Sequence, residues 1–387
     1  MLGNIYQLIK KNMKIGILTL SLHTNYGGIL QAYALKTVLE KMGHDVWLID
    51  TKLNQVSFPR KIWRLTKETI AYLKGDVPMI NAKKLRDRAY LNYTKPFIDQ
   101  NIPKITKTFT SIEDLKKVTE KYNFEAYVVG SDQIWNAKYY KHIEAAFFSF
   151  LKGKEVIKIA YAPSFGADVW KYNEEQTRNC KELIKEFDAV SVREDVGIDF
   201  CKSHLDAQAT MVLDPTMLLR TEDYLKLLPD SSTRKNNGLF LYVLDVSKEK
   251  KELIDAVAEK KNLVPYQLDI IDGYESCPLE WRTNAKVEDW IRSFHDAEFV
   301  ITDSFHGTVF SIIFNKPFYV LLNYNRGAVR FKSILNIFNL SDRIITSKEE
   351  LTKEKLEKKI DWEAVNKTLT VNQKHSMSFL KENLIDQ

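Results

Sequence analysis

The chain has 387 residues, of which 44% are hydrophobic and 28% charged, and its formal net charge is +6. This length allows two ordinary domains with separate cores, and the composition is that of a globular protein. No apolar run approaches the roughly 20 residues that span a bilayer. The three cysteines are single and lack metal-ligand spacing, which favours a reducing compartment. We therefore expect a cytoplasmic protein with no metal site and no nucleic-acid partner.

The first half of the chain alternates predicted strands and helices. Lys14 to Leu20 predicts a strand, a glycine-containing loop follows, and a helix is predicted from Ile29 to Met42. Asp45 to Asp50 predicts the next strand, and a strand-helix-strand order is typical of a parallel sheet. We expect an N-terminal extension at residues 1–12 and a first Rossmann-like domain at residues 13–228.

The second half repeats this alternation after a polar stretch that runs from Pro229 to Gly238. We expect a second Rossmann-like domain at residues 229–365 and a C-terminal helix at 366–387 that packs back on the first domain. The predicted class is α/β, with two mostly parallel sheets. Their carboxyl edges should face a central cleft, which is where open α/β folds bind ligands.

A basic segment with interleaved aromatic residues runs from Lys52 to Lys95 and includes Trp63 and Tyr72. It predicts either a solvated helical excursion or a face for anionic lipid headgroups or a saccharide acceptor. Peripheral contact with the inner face of a membrane is therefore a further expectation.

The segment from Phe299 to Pro317 reads as a buried strand, a polar loop and an apolar helix. Asp303, Ser304, His306 and Gly307 lie between the two elements, and Thr308 continues into the helix. A loop at this position faces the positive end of the next helix and is suited to an anion. His306 can contact a phosphate or carry a proton near neutral pH, although a buried structural histidine is an alternative.

Other candidates also follow predicted strands. Asp132 is placed for acid, base or hydroxyl contact, or caps a helix. Arg193 and Arg326 present guanidinium groups suited to phosphate or carboxylate. For Arg193, an ion pair with a neighbouring acid is the alternative. Gly27 and Gly28 permit close backbone approach to a ligand, or simply a tight turn. The chain has no dinucleotide fingerprint and no Walker loop.

Taken together, these motifs resemble the polysaccharide pyruvyl transferase family. The resemblance runs from Lys14 to about Arg330 and rests on motifs in a fixed order. The motifs are NYGGILQAYAL at Asn25 to Leu35, VVGSDQIWN at Val128 to Asn136, SVRE at Ser191 to Glu194, LDPTMLL at Leu213 to Leu219, and TDSFHGTVFSIIFNKP at Thr302 to Pro317.

The resemblance implies a GT-B-like architecture and transfer of a pyruvyl group from phosphoenolpyruvate to a saccharide acceptor, which is lipid-linked or free, as a ketal. The reaction that the resemblance implies needs no separate cofactor, because phosphoenolpyruvate is its donor substrate. The family's key histidine corresponds to His306 and its donor-binding arginine to Arg193, with Arg326 as a further basic residue. We predict a catalytic role for His306, and Asp132 and Asp303 are further catalytic candidates, for acid, base or hydroxyl contact.

The predicted substrate-binding residues come from both halves of the chain. They are Arg193, Arg326, Asn25, Gly27, Gly28, Ser304, Gly307 and Thr308. Two other functions fit the same architecture: a glycosyltransferase that uses a nucleotide sugar, and a non-catalytic carbohydrate-binding protein.

Overall fold

A computed structural model describes residues 12–53, 79–229, 238–271, 279–322 and 327–384 of the chain. The amino-terminal half contains a six-stranded sheet in the order β2-β1-β3-β4-β5-β6, and its strand pairs are parallel. The strands are β1 (Lys14–Leu18), β2 (Asp45–Ile49), β3 (Ala126–Val129), β4 (Ile157–Ala160), β5 (Ala189–Val192) and β6 (Thr210–Met211).

The carboxyl-terminal half contains a five-stranded sheet in the order β11-β10-β9-β7-β8, which is also parallel. Its strands are β7 (Leu239–Tyr242), β8 (Pro265–Tyr266), β9 (Phe299–Thr302), β10 (Phe318–Leu321) and β11 (Ile344–Ile345). The two parallel-sheet α/β domains that the sequence predicts are therefore present.

Helices connect the strands in both halves. In the first half they are α1 (Tyr26–Lys41), α2 (Met79–Ala89), α3 (Lys95–Asn101), α4 (Ile112–Lys116), α5 (Val118–Tyr122), α6 (Ile143–Ala146), α7 (Glu174–Ile184), α8 (Asp195–Leu205) and α9 (Thr221–Leu225). In the second half they are α10 (Lys248–Lys261), α11 (Leu279–Arg282), α12 (Val287–Asp296), α13 (Phe305–Ile313), α14 (Ala328–Ile337), α15 (Lys353–Glu357) and α16 (Trp362–Asn383).

Short helical turns complete the described elements. They are a π-helical turn at Tyr90–Thr94 and 3₁₀ turns at Ser149–Leu151, Pro215–Leu218, Ser341–Arg343 and Lys348–Glu350. Most of the basic segment from Lys52 to Lys95 falls on residues 54–78, which lie outside the described residues. Within the described part of the chain, no helix is long and apolar enough to cross a membrane.

Helix α1 begins at Tyr26, three residues before the start that its apolar pattern predicts. Asn25 explains the earlier start, because its side chain accepts a hydrogen bond from the Gly28 amide and so caps the helix. Gly43 follows the helix with φ of +99°, a left-handed conformation that favours glycine. The cap places Gly27 and Gly28 in the first helical turn, beyond the carboxyl end of β1.

The two halves pack through a shared hydrophobic cluster that includes Ile17 of the first sheet and Val300 of the second. The Tyr26 hydroxyl donates to the Ala285 carbonyl at 2.7 Å, and its ring stacks on Trp290 with centroids 5.8 Å apart. Burial of each such large side chain contributes about 1.5–3 kcal/mol. The start of α1 is therefore held against the second half of the chain.

The last described helix, α16, contacts the first half of the chain. The Ser376 hydroxyl accepts a hydrogen bond from the Leu213 amide at 2.9 Å, and the Gln373 side chain donates to the Met217 carbonyl at 2.6 Å. Phe379 packs near Tyr161, with ring centroids 6.2 Å apart. These contacts support the loop that follows β6.

Candidate active site

Arg193 lies between two carboxylates beyond the carboxyl end of β5. Its Nη1 donates to Asp214 Oδ2 at 2.5 Å, and its Nη2 donates to Asp132 Oδ1 at 3.0 Å. The Arg193 side chain is 1% exposed, and those of Asp132 and Asp214 are 6% and 0% exposed. Charges at this depth persist because each is paired and hydrogen-bonded. The structure thus brings together two of the predicted candidates, Asp132 and Arg193.

Asp214 is the centre of this cluster, although the sequence did not predict it as a site residue. It also accepts hydrogen bonds from the Ser131 hydroxyl at 3.2 Å and from the Thr216 amide and hydroxyl at 3.0 and 2.7 Å. Burial opposes ionisation, but His306 and Arg193 outweigh it and hold the pKa of Asp214 well below its usual range. Its position next to Pro215, just past a predicted strand, was the available signal.

His306 is the second residue of α13 and is buried. Its Nε2 lies 3.7 Å from Asp214 Oδ2, which is longer than a hydrogen bond. Nε2 has no hydrogen-bond partner among the described residues. Gly27 packs directly against the imidazole ring. His306 therefore joins residues of both halves of the chain in one cluster.

Phe305 lies beneath two guanidinium groups. The Cζ atom of Arg193 is 4.5 Å from the centre of the Phe305 ring, and that of Arg330 is 5.5 Å away. Burial, followed by the neighbouring charge of Arg193, lowers the pKa of Arg330 to about 10, so it stays charged near neutral pH. Both contacts have cation–π geometry. Arg330 was not predicted, because it lies within a helix and follows no strand.

The helix amino ends near the cluster are formed by other predicted residues. Ser304 caps α13 by accepting a hydrogen bond from the Gly307 amide at 3.4 Å, and the Thr308 hydroxyl donates to the Ser304 carbonyl at 3.2 Å. Gly307 has no room for a side chain, since a Cβ there would lie 2.1 Å from Thr302 Oγ1. With the Asn25 cap, these contacts direct the positive ends of α1 and α13 toward the domain interface.

Asp303 has a separate set of partners within the second half. Its carboxylate accepts hydrogen bonds from the Leu244 amide at 2.6 Å, the Asp245 amide at 3.2 Å and Lys250 Nζ at 2.6 Å. The structure thus places Asp303 in contact with the segment that follows β7. Arg326 lies outside the described residues.

The polysaccharide pyruvyl transferase family model matches residues 25–325. The chain belongs to this family. The matched region contains Asp132, Arg193, Asp214 and His306, and it ends before Arg330. A comparison with curated protein sequences found no match.

Solved structures share the architecture over almost the full chain. A UDP-glucosyltransferase from Polygonum tinctorium is 10% identical with a TM-score of 0.53, and the alignment covers 97% of this chain and 98% of that one. A putative UDP-N-acetylglucosamine 2-epimerase from Listeria monocytogenes is 10% identical with a TM-score of 0.52, covering 93% and 91%. The corresponding epimerase from Methanocaldococcus jannaschii is 12% identical with a TM-score of 0.50, covering 91% and 95%. These similarities confirm the predicted GT-B-like fold of this family member.

Proposed function

We propose that the protein transfers a pyruvyl group from phosphoenolpyruvate to two hydroxyls of a glycan or glycan precursor, forming a ketal, in cell-surface polysaccharide biosynthesis. The observation that carries the proposal is the buried interdomain cluster in which His306 lies 3.7 Å from Asp214, itself paired with Arg193. Family membership supports a transferase of this kind.

The reaction requires a proton donor and control of developing charge. Protonation of the methylene carbon produces a methyl group and cationic character at the adjacent carbon. One sugar hydroxyl attacks that carbon, the C–O bond to phosphate breaks, and a second hydroxyl closes the ketal. Of the two hydroxyl protons, one balances the proton taken up by the methyl carbon and the other balances the released phosphate. Alignment and electrostatic stabilisation of these partners lower the barrier.

His306 is the residue we assign to the phosphate and to proton transfer. Its unpartnered Nε2 and its place in the first turn of α13 suit contact with an anion. A histidine with this environment can act as phosphate ligand and acid in turn.

Arg193 and Arg326 are proposed to hold the anionic groups of the donor. Two carboxylates already accept hydrogen bonds from the Arg193 guanidinium. We therefore propose that the positive charge of Arg193 attracts the anionic groups of the donor while its hydrogen bonds position Asp132 and Asp214. Arg330 adds a second buried positive charge beside Phe305. We propose Asp132 as the acid, base or hydroxyl contact, and rank Asp303 below it because its carboxylate already accepts three hydrogen bonds.

The test is ketal formation by purified protein incubated with phosphoenolpyruvate and candidate acceptor glycans, measured by mass spectrometry of the glycan. His306→Ala should abolish the added pyruvyl mass, while His295→Ala, at a half-exposed histidine on α12, should keep it. Both variants should keep the unfolding temperature of the wild type. Near-normal turnover by His306→Ala would refute the assignment.

The alternative functions predict different ligand responses. Stabilisation of the fold by phosphoenolpyruvate, and not by UDP or UDP-glucose, supports the pyruvyl transferase. Stabilisation by the nucleotide sugar alone would favour a glycosyltransferase. A carbohydrate-binding protein would bind glycans equally well with and without His306. A cytoplasmic location, with peripheral membrane contact through the basic segment, is part of the same proposal.

A further inference from the structure

A cavity of about 760 Å³ opens at the carboxyl ends of β1 and β2. Its lining includes the segments 19–23 and 50–53, which directly follow the two strands, and the side chains of Tyr90, Tyr139 and Tyr140. This volume lies in the range of ligand-binding clefts. It is also several times larger than a three-carbon phosphate ester needs, so the cavity is suited to a larger molecule.

Two planar rings form a platform in this cavity. The His23 and Tyr90 rings stack with centroids 4.3 Å apart and an interplanar angle of 19°. Backbone contacts fix the platform, because the Thr94 hydroxyl donates to the His23 carbonyl at 2.7 Å. A flat ring face offers apolar contact to the C–H face of a pyranose while the sugar hydroxyls stay free for polar partners.

Charge in the cavity is balanced. Lys52 and Arg86 are matched by Asp50 and Asp87 among the lining residues. Burial, followed by the neighbouring Arg86 charge, lowers the pKa of His23 to about 4, so His23 is neutral at physiological pH. A highly anionic ligand such as phosphoenolpyruvate would gain little electrostatic stabilisation in this cavity. Carboxylates and ammonium groups around an uncharged polyol can instead exchange hydrogen bonds with its hydroxyls.

The cavity borders the buried cluster. Thr19 lines the cavity, and its hydroxyl donates to the Ser131 carbonyl at 3.5 Å while accepting a hydrogen bond from Gln31 at 3.0 Å. Ser131 precedes Asp132 in the chain and also donates to Asp214 through its hydroxyl at 3.2 Å. Thr19 and Ser131 therefore lie between a ligand in the cavity and the cluster that contains His306.

We propose that this cavity binds a pyranoside unit of the saccharide acceptor, with the stacked His23 and Tyr90 rings as its platform. The word acceptor rests on the proposed function, because only a transferase has one. The binding of a sugar in this cavity can be tested whether or not the protein is a transferase.

Saturation-transfer NMR with the methyl glycosides of galactose, glucose, mannose and N-acetylmannosamine tests the claim on the full chain. At least one glycoside should receive saturation from the wild-type protein. Tyr90→Leu removes the ring and should lower the affinity about tenfold or more. Tyr90→Phe keeps the ring and should bind like the wild type, which separates loss of the platform from loss of the fold.

The same three proteins are then heated with and without phosphoenolpyruvate. The donor should raise the unfolding temperature of all three equally, because the platform does not contact it. Absence of this shift in the wild type, with glycoside binding intact, would contradict the proposed function and leave the saccharide site standing. No glycoside binding by the wild type, or equal binding by Tyr90→Leu, would overturn the saccharide site.

Discussion

Gly27 in the first half of the chain leaves no space between its backbone and the imidazole of His306 in the second half. A Cβ at position 27 would lie 2.1 Å from His306 Nδ1 and 2.3 Å from Cγ. Both atoms belong to the rigid imidazole ring and not to the end of a flexible side chain. The glycine is therefore required for the two halves to meet at the cluster, whatever contact it makes with a substrate.

The first prediction is that Gly27→Ala lowers the proposed ketal-forming activity by about tenfold or more, because a displacement near 1 Å at a reacting group costs about that much or more. Alanine favours the helix itself, but overpacking of this kind costs about 1–3 kcal/mol, so the unfolding temperature should also fall. Gly28→Ala is the control: its Cβ would meet the Asn25 side chain at 3.3 Å, which a small rotation relieves. Equal activity of the two variants, by the mass-spectrometric assay, would contradict the argument.

The second prediction concerns the free energy of unfolding. Arg193→Met leaves Asp132 and Asp214 buried without their shared partner, which should cost about 3–5 kcal/mol. Lys116→Met breaks an exposed pair with Glu113, whose side chains are 54% and 79% exposed, and should cost less than about 1 kcal/mol. Urea unfolding followed by circular dichroism measures both. Similar losses in the two variants would show that the buried cluster does not stabilise the fold.

The third prediction is a pH dependence set by Asp214. Its pKa is below the usual value in the folded protein, so its stabilising contribution is complete above the unfolded pKa of about 3.9 and declines as the pH falls below it. The difference in unfolding free energy between the wild type and Asp214→Asn should be constant from pH 7 to about pH 5. It should shrink below about pH 4. A difference in unfolding free energy that grows as the pH falls below about 4 would contradict the prediction.

The fourth prediction is a second pH window, set by His23. Its folded pKa of about 4 lies below the ordinary value of 6.5. As the pH falls, His23 therefore takes up a proton in the unfolded chain before it does so in the folded protein. The stability that neutral His23 provides is lost as the pH falls from about 6.5 toward 4. His23→Asn should lack this component. Parallel stability curves for the two proteins between pH 7 and pH 5 would refute it.

Much of the architecture follows from local sequence. The apolar run KIGIL forms β1 within its predicted strand, and the FVIT run forms β9, which extends to Thr302, one residue past the predicted Phe299 to Ile301. Side chains on strand-end loops were predicted to meet, and Asp132, Arg193 and His306 do lie in one cluster. The reason is geometric, because the carboxyl ends of parallel strands share one edge of a sheet.

Partner choice within the cluster was not predictable, because it depends on long-range packing. Arg193 was expected to hold a ligand or pair with an adjacent acid, and its Nε does lie 3.8 Å from Glu194 Oε2. Its hydrogen bonds, however, go to Asp132 and Asp214, which lie 61 and 21 residues away. Asp303 lies beside His306 in sequence, yet it accepts hydrogen bonds from the segment near Lys250. Local patterns set the strand and the loop, but the rotamer that fills a buried space depends on the whole fold.

The hydrogen bond between the Leu213 amide and Ser376 joins residues 163 positions apart. On the ribosome, the segment that carries Asp214 is made long before helix α16 exists. The loop at residue 213 therefore has no partner for its amide during that interval. The loop that carries Asp214 should therefore reach its final packing late in synthesis, after α16 has emerged and docked, even when both sheets have already formed.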